Sequence, residues 1–191
     1  VSQELQRRFQ ISSQVGNNTN STVIGATVEY AIVHNVEIER GSFLTEQNNR
    51  GMSRVAVLGP TVAQDLFGEN EEPVGKTVRI NKINFKVVGL LKSKGGSGFF
   101  NPDDIVLVPL STMQKILAGD DHLSAIALSI ANKNEMALAQ EQATSLLLER
   151  HRVVEPDFSI ISQADILGAL TQVTATFTIF LASIAGISLI V

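Results

Sequence analysis

The spacing of apolar and polar positions sets the first elements. Phe9, Ile11, Ser13 and Val15 fall on one side of an extended segment, which predicts a strand over roughly Glu4 to Ser13. Gly16-Asn17-Asn18-Thr19-Asn20 follows as a turn, because glycine and asparagine tolerate left-handed backbone, and Thr22 to Ala26 reads as the returning strand of a hairpin. Val28 to Val33 is short and ambiguous, compatible with a helical turn around Tyr30. Gly41 then delivers Phe43 into an apolar setting, so Tyr30 and Phe43 are expected as core anchors.

In the middle of the chain two periods alternate. Thr45 to Gly51 is a polar loop or short helix, and Arg54 to Gly59 is a buried strand. Pro60 sits at a favoured helix start, and Val62, Ala63, Leu66 and Phe67 place an apolar stripe on a helix that runs to Gly68. Val78, Ile80, Ile83, Phe85 and Val87 alternate across a turn at Asn81-Lys82, a hairpin with one face inward and the lysines and Arg79 on the other. Lys94 to Asp104 has three glycines, two phenylalanines and a proline in a loop that nothing local would order. Apolar side chains on such a loop mark a contact surface, so Phe99 and Phe100 are candidates for partner contact, with folding back over the hairpin as the open alternative. Ile105 to Pro109 is a strand, and Ser111 with Gln114 forms a capping box for a helix to about Ala118.

Strand, helix and strand follow. Ser124 to Ala131 alternates, and Asn132 with Glu135 caps a helix carrying Met136, Ala139, Ala143, Leu146 and Leu147 on one side. Phe158 to Ile161 is a further strand, and Ser162 with Asp165 caps a last helix. No charge occurs after Asp165, and the run to Val191 is long and apolar enough to start a membrane crossing, its few hydroxyls able to bond back to the helix backbone. The elements combine into an α+β fold. A split β-α-β subdomain comprises 1–43 and 123–165, a small mixed α/β subdomain is inserted at 44–122, and residues 166–191 begin a transmembrane helix.

Composition narrows the function. Fifteen basic against nineteen acidic residues give a net charge of −4, which supplies no basic stripe for nucleic acid and no polybasic surface for anionic lipid. Absence of cysteine excludes disulfides, thiolate catalysis and cysteine-ligated zinc. No signal peptide is visible at the amino end. Leu58-Gly59-Pro60 has one glycine where a phosphate-cradling loop needs several, and the acidic turn from Glu69 to Glu72 would repel phosphate further. His34, His122 and His151 show no spacing signature, and Asp120-Asp121-His122 offers too few oriented ligands for calcium or zinc. No catalytic, cofactor-binding or metal site is expected, and the segment is read as not an enzyme.

The order of several motifs carries a likeness. Arg54-Val55-Ala56-Val57-Leu58-Gly59-Pro60-Thr61-Val62-Ala63-Gln64-Asp65-Leu66-Phe67-Gly68, then Pro73-Val74-Gly75-Lys76-Thr77-Val78-Arg79-Ile80 and Phe85-Lys86-Val87-Val88-Gly89-Leu90-Leu91, resembles the extracytoplasmic core domain of MacB-type ABC transporter permeases of the FtsX-like superfamily. Ile24-Gly25-Ala26-Thr27 with Tyr30, and Gly41-Ser42-Phe43, match the part preceding the insert. Phe180 to Val191 is similar to the start of that family's second membrane helix. The resemblance implies a porter-like subdomain, incomplete at the amino end because an element and a membrane helix are expected before Val1. It also implies a location in the inner or plasma membrane with most of this segment outside the cytoplasm. The implied partners are an ABC ATPase, fused or separate, a second permease copy, the bilayer, and in many relatives a periplasmic adaptor and outer-membrane channel. The implied task is coupling ATP hydrolysis to export of an amphiphile. A membrane-anchored ligand-binding or sensor domain without a transport role is the alternative; it would require a preformed apolar pocket.

Overall fold

The computed structural model describes residues 1–69, 71–96 and 101–190. It separates into two units, Val1–Ser129 and Ile130–Val191.

The first unit is built on a closed ring of strands. Its elements are β1 (Ser2–Ser13), β2 (Asn18–Ala26), α1 (Tyr30–Val33), β3 (Ile38–Gly41), α2 (Glu46–Arg50), β4 (Val55–Leu58), α3 (Pro60–Phe67), β5 (Thr77–Ile80), β6 (Ile83–Leu91), β7 (Ile105–Pro109), α4 (Leu110–Thr112) and β8 (Ala125–Ala127). The sheet runs β2-β7-β4-β6-β5-β1, and the pairing of β1 with β2 closes it, with β3 added on β6 and β8 on β1. β2 with β7 and β4 with β6 are parallel, and the other pairs are antiparallel. Closure leaves the ring itself without an exposed edge. β1 and β2, from the first 43 residues, thus share a sheet with β5 and β7 from 44–122, while Ser2–Glu4 of β1 also pairs with β8.

Strand periodicity explains the two cores. Ala56 and Leu58 on β4, Val106 and Val108 on β7, Val78 and Ile80 on β5, and Phe85 and Val87 on β6 join one buried cluster with Val62 and Leu66 of α3 and Met113. Their alternates Val57 and Leu107 join a second cluster with Ile24, Ala26, Tyr30, Leu44 and Leu91. β4 and β7 are therefore buried on both faces, which is why they are uninterrupted apolar runs rather than alternating ones. Each fully buried aliphatic or aromatic side chain contributes about 1.5–3 kcal/mol.

Both hairpins form where expected. Asn81 (φ 47°) and Lys82 (φ 68°) are left-handed, the backbone a two-residue hairpin turn needs to match strand twist. Gly25 lies so close to the helical turn after β7 that an added Cβ would be 2.3 Å from Met113 Cβ, so only glycine fits.

Three local expectations fail. Ser111 does not cap a helix: its hydroxyl donates to the Asn49 carbonyl and its N–H to Asn49 Oδ1 at 3.0 Å. The helix begins at Leu110 instead and widens into a π-helical turn over Met113–Ala118 that Gly119 ends in a left-handed conformation. The strand over Ser124 to Ala131 shrinks to Ala125–Ala127, the residues that find partners on β1. Phe158 to Ile161 forms no strand, for the segment has no ladder partner among the described residues.

In the second unit a 3-10 turn, Lys133–Glu135, leads into α5 (Met136–His151), and α6 spans Gln163–Ile190. α5 has no buried residue; Met136, Ala139, Ala143 and Leu147 are half-buried, whereas Leu146 is 53% exposed and leaves the expected stripe. α6 is capped as its sequence indicates. Asp165 N–H donates to Ser162 Oγ at 3.2 Å, and Ser162 N–H returns to Asp165 Oδ2 at 2.9 Å.

Candidate functional site

The loop between β6 and β7 is the first candidate surface. Phe99 and Phe100 lie outside the described residues. The described flanks are ordered by a residue that local sequence does not reveal. Asp103, only 6% exposed, accepts from Ser93 Oγ, from Lys94 N–H at 2.9 Å and from Gly95 N–H at 3.1 Å. Burial alone would push its carboxyl up, but these donors, with the Lys94 charge, outweigh that and hold it below the ordinary aspartate range. The returning arm is fixed to the start of α3: Asn101 Nδ2 donates to Thr61 Oγ1 at 3.0 Å, Thr61 N–H to the Asp103 carbonyl at 3.2 Å, and Gly59 N–H to the Ile105 carbonyl at 2.8 Å. The available signal was Asn101-Pro102-Asp103, a turn-initiating tripeptide.

The recess beside this loop is lined by Tyr30, His34, Lys92, Lys94 and Asp103 and measures about 130 Å³. Small-molecule pockets run to ~300–1,000 Å³, so it is too small for a drug-sized ligand. A second, open groove runs over β1, β2 and β7 past Gln6, Arg8, Thr22 and Asp104.

A buried carboxylate marks the start of β1. Glu4 is 2% exposed, with its Oε1 2.6 Å from His34 Nε2 and its Oε2 accepting from Gln6 Nε2 at 3.1 Å. His34 stacks on Tyr30 with ring centroids 4.1 Å apart. Burial, then the Glu4 charge, pushes the Tyr30 hydroxyl upward, so it stays protonated.

Each histidine sits beside a carboxylate: His34 with Glu4, His122 with Asp120, His151 with Asp157. The Asp120 hydrogen bond and charge, with a smaller push from the Asp121 charge, raise the His122 pKa; Asp121 itself pairs with Lys115 at 2.6 Å. Among the described residues no three potential ligands gather around one point.

α6 is the remaining surface. Gln163–Ile184 is long and apolar enough to cross a membrane, and none of its described side chains is buried. Twenty-two residues at ~1.5 Å each span about 33 Å, close to the ~30 Å hydrocarbon thickness. Phe177, Ile179, Phe180 and Leu181 are each more than 60% exposed, on every side of the helix. The Thr176, Thr178 and Ser183 hydroxyls donate to carbonyls four residues back, as helix hydroxyls do where water is lacking.

Comparison with known proteins agrees with this arrangement. The chain is 35% identical over 181 residues to the macrolide export ATP-binding/permease protein MacB of Bdellovibrio bacteriovorus, covering 93% of this chain and 28% of that protein. It is 30% identical over 184 residues to the pyoverdine export ATP-binding/permease protein PvdT of Pseudomonas syringae, covering 95% and 28%. The chain thus spans somewhat over a quarter of the length of these relatives. Among solved structures, the periplasmic region of MacB from Actinobacillus actinomycetemcomitans superposes with a TM-score of 0.72 at 21% identity, over 89% of this chain and 74% of that one. The extracellular domain of the transporter YknZ from Gram-positive bacteria gives 0.69 at 19%, over 81% and 76%, and both likenesses establish the fold. Residues 1–146 match the family described as the MacB-like periplasmic core domain. The chain belongs to that family: it is an extracytoplasmic domain of an inner-membrane protein.

Proposed function

We propose that the chain is the extracytoplasmic part of an ABC exporter permease, which couples ATP hydrolysis on the cytoplasmic side to export of an amphiphilic substrate. The single observation that carries the reading is the continuity of a polar, family-matched domain with α6, a helix of apolar sequence whose described side chains are exposed along its candidate span. The ATPase would be a fused or separate domain, and a second permease copy would complete the assembly. A periplasmic adaptor, leading to an outer-membrane channel, would dock on the loop between β6 and β7, with Phe99 and Phe100 as the contact residues proposed from their apolar character.

The division into a porter-like part, 1–43 with 123–165, and an insert, 44–122, is also a proposal. The pairing of Ser2–Glu4 with Ala125–Ala127 supports it by returning the later segment to the first strand. The pairings of β1 with β5 and of β2 with β7 weigh against placing its boundary at residue 43.

The test is ATP-dependent flux. Inverted inner-membrane vesicles carrying the full-length protein and its ATPase should take up an amphiphilic dye only when ATP is supplied. Ligand-responsive behaviour with no flux under any condition would refute the exporter reading in favour of a membrane-anchored sensor.

A further inference from the structure

We propose that Glu4 is a buried latch that holds β8, the last strand before the membrane-directed helix, to the barrel, and that this junction passes motion between them. The transmitting role rests on the exporter reading above; the latch itself does not.

β8 has little hold of its own. It is three residues long, Ala125 and Ile126 are exposed, and Ala127 is only half-buried, so few side-chain contacts fix it. Its attachment is backbone pairing with Ser2–Glu4, extended by Ser124: the Ser124 N–H donates to the Glu4 carbonyl at 2.8 Å, and Ser124 Oγ accepts from the Gln6 N–H at 3.0 Å. Segments held mainly by such bonds open first in a folded protein.

Glu4 and Gln6 thus hold β8 together with Ser2 and Gln3, and the Glu4 side chain ties the first two of these to each other through the Gln6 amide. Its carboxylate reaches Gln6 Nε2 along its own strand and His34 just past the end of α1, while its backbone pairs with Ala26 of β2 and Ala125 of β8. Four elements meet at this residue. α1 is a single turn, anchored by buried Tyr30, whose ring stacks on the same imidazole. A carboxylate with so little exposure is costly unless paired. Separating the pair would leave the Glu4 carboxylate unsatisfied unless β1's first residues were released to water with it. The chain passes from β8 through α5 to α6, so a pull from the membrane side meets β8 before any ring strand.

The experiment compares hydrogen exchange in the full-length protein in detergent for wild type, Glu4→Gln and His34→Ala. The latch predicts that the amides of 124–127 exchange at least tenfold faster in both variants, while those of Val57 and Phe85 in the ring keep their wild-type rates. Unchanged exchange at 124–127, or the same acceleration in ring and β8, overturns it. His34 is 36% exposed, so its variant keeps the comparison available if Glu4→Gln does not fold. In ATP-supplied vesicles the same variants should lower transport per ATP hydrolysed at least threefold with ATP hydrolysis retained; an unchanged ratio overturns the transmitting role. Wild type that hydrolyses ATP without any flux would instead sink the exporter reading and leave the exchange result standing.

Discussion

Replacing Asp103 by alanine should loosen the loop between β6 and β7 and destabilise the barrel by an amount that can be bounded. Its carboxylate takes three hydrogen bonds, from Ser93, Lys94 and Gly95. A hydrogen bond to a charged group contributes ~1.5–3 kcal/mol, so an upper figure for three exceeds 4 kcal/mol. The donors, however, belong to exposed residues and can turn to water once the acceptor is gone. The Asp103 backbone also keeps its own bonds to Asn101 and Thr61. The discounted cost is about 2–3 kcal/mol, readable as a fall in the urea midpoint at constant slope. Asp103→Asn should cost about half as much, because the Lys94 and Gly95 N–H groups point at different carboxylate oxygens and asparagine offers only one.

A pH series separates this mechanism from simple loss of packing. The Asp103 pKa is lower in the folded than in the unfolded chain, so its contribution is fully present above the ordinary aspartate value near 3.8 and is lost as pH falls through the folded value beneath it. The gap between wild type and Asp103→Ala should therefore be full at pH 7 and close progressively below pH ~4. A gap of the same size at pH 7 and pH 3, or none at pH 7, would refute the account.

Three further outcomes follow from the fold. Gly25→Ala should drop the thermal midpoint steeply, an overpacking cost of about 1–3 kcal/mol, since the new methyl would meet Met113 Cβ at 2.3 Å; pairing it with Met113→Ala should restore part of the loss. Lys82→Gly should raise stability by up to ~1 kcal/mol in urea melts, because a lysine now occupies a left-handed turn position that glycine adopts freely. Ala175→Arg should disfavour membrane insertion of α6 by about 2.5–3.5 kcal/mol in a translocon insertion assay, whereas the same change at Gln163, at the helix start, should have little effect.

What the sequence discloses depends on how far apart the interacting residues lie. The β5-β6 hairpin is legible because alternation and a two-residue turn are local, as is the Ser162 and Asp165 cap. The buried runs at Val55–Leu58 and Ile105–Val108 are legible as strands, but not the order that sets β4 between β7 and β6. The ring as a whole is invisible because, besides the local β1-β2 hairpin, it needs β1 to pair with β5 and so joins Ile11 to Ile80 across the chain. Ser111 with Gln114 has a capping pattern, yet Asn49, far away in sequence, captures the serine. Asp103 and Glu4 read as ordinary surface acids, since nothing adjacent announces that one will gather a loop and the other will be sealed beneath α1. The apolar tail needs no tertiary knowledge: a helix that is greasy on every side has no soluble face to present.

The cap on α6 has a mechanical corollary. Ser162 and Asp165 place a carboxylate and two satisfied backbone donors directly ahead of an apolar span. Drawing that box into hydrocarbon would strip water from an ionised group, which is costly, whereas sliding the apolar span outward would expose its phenylalanines and isoleucines to water. Seated in a bilayer, the helix would thus be braked in both directions along the membrane normal. Tilting and rotation would cost far less, so on the proposed exporter reading a stroke carried by this helix would be a swing rather than a plunge.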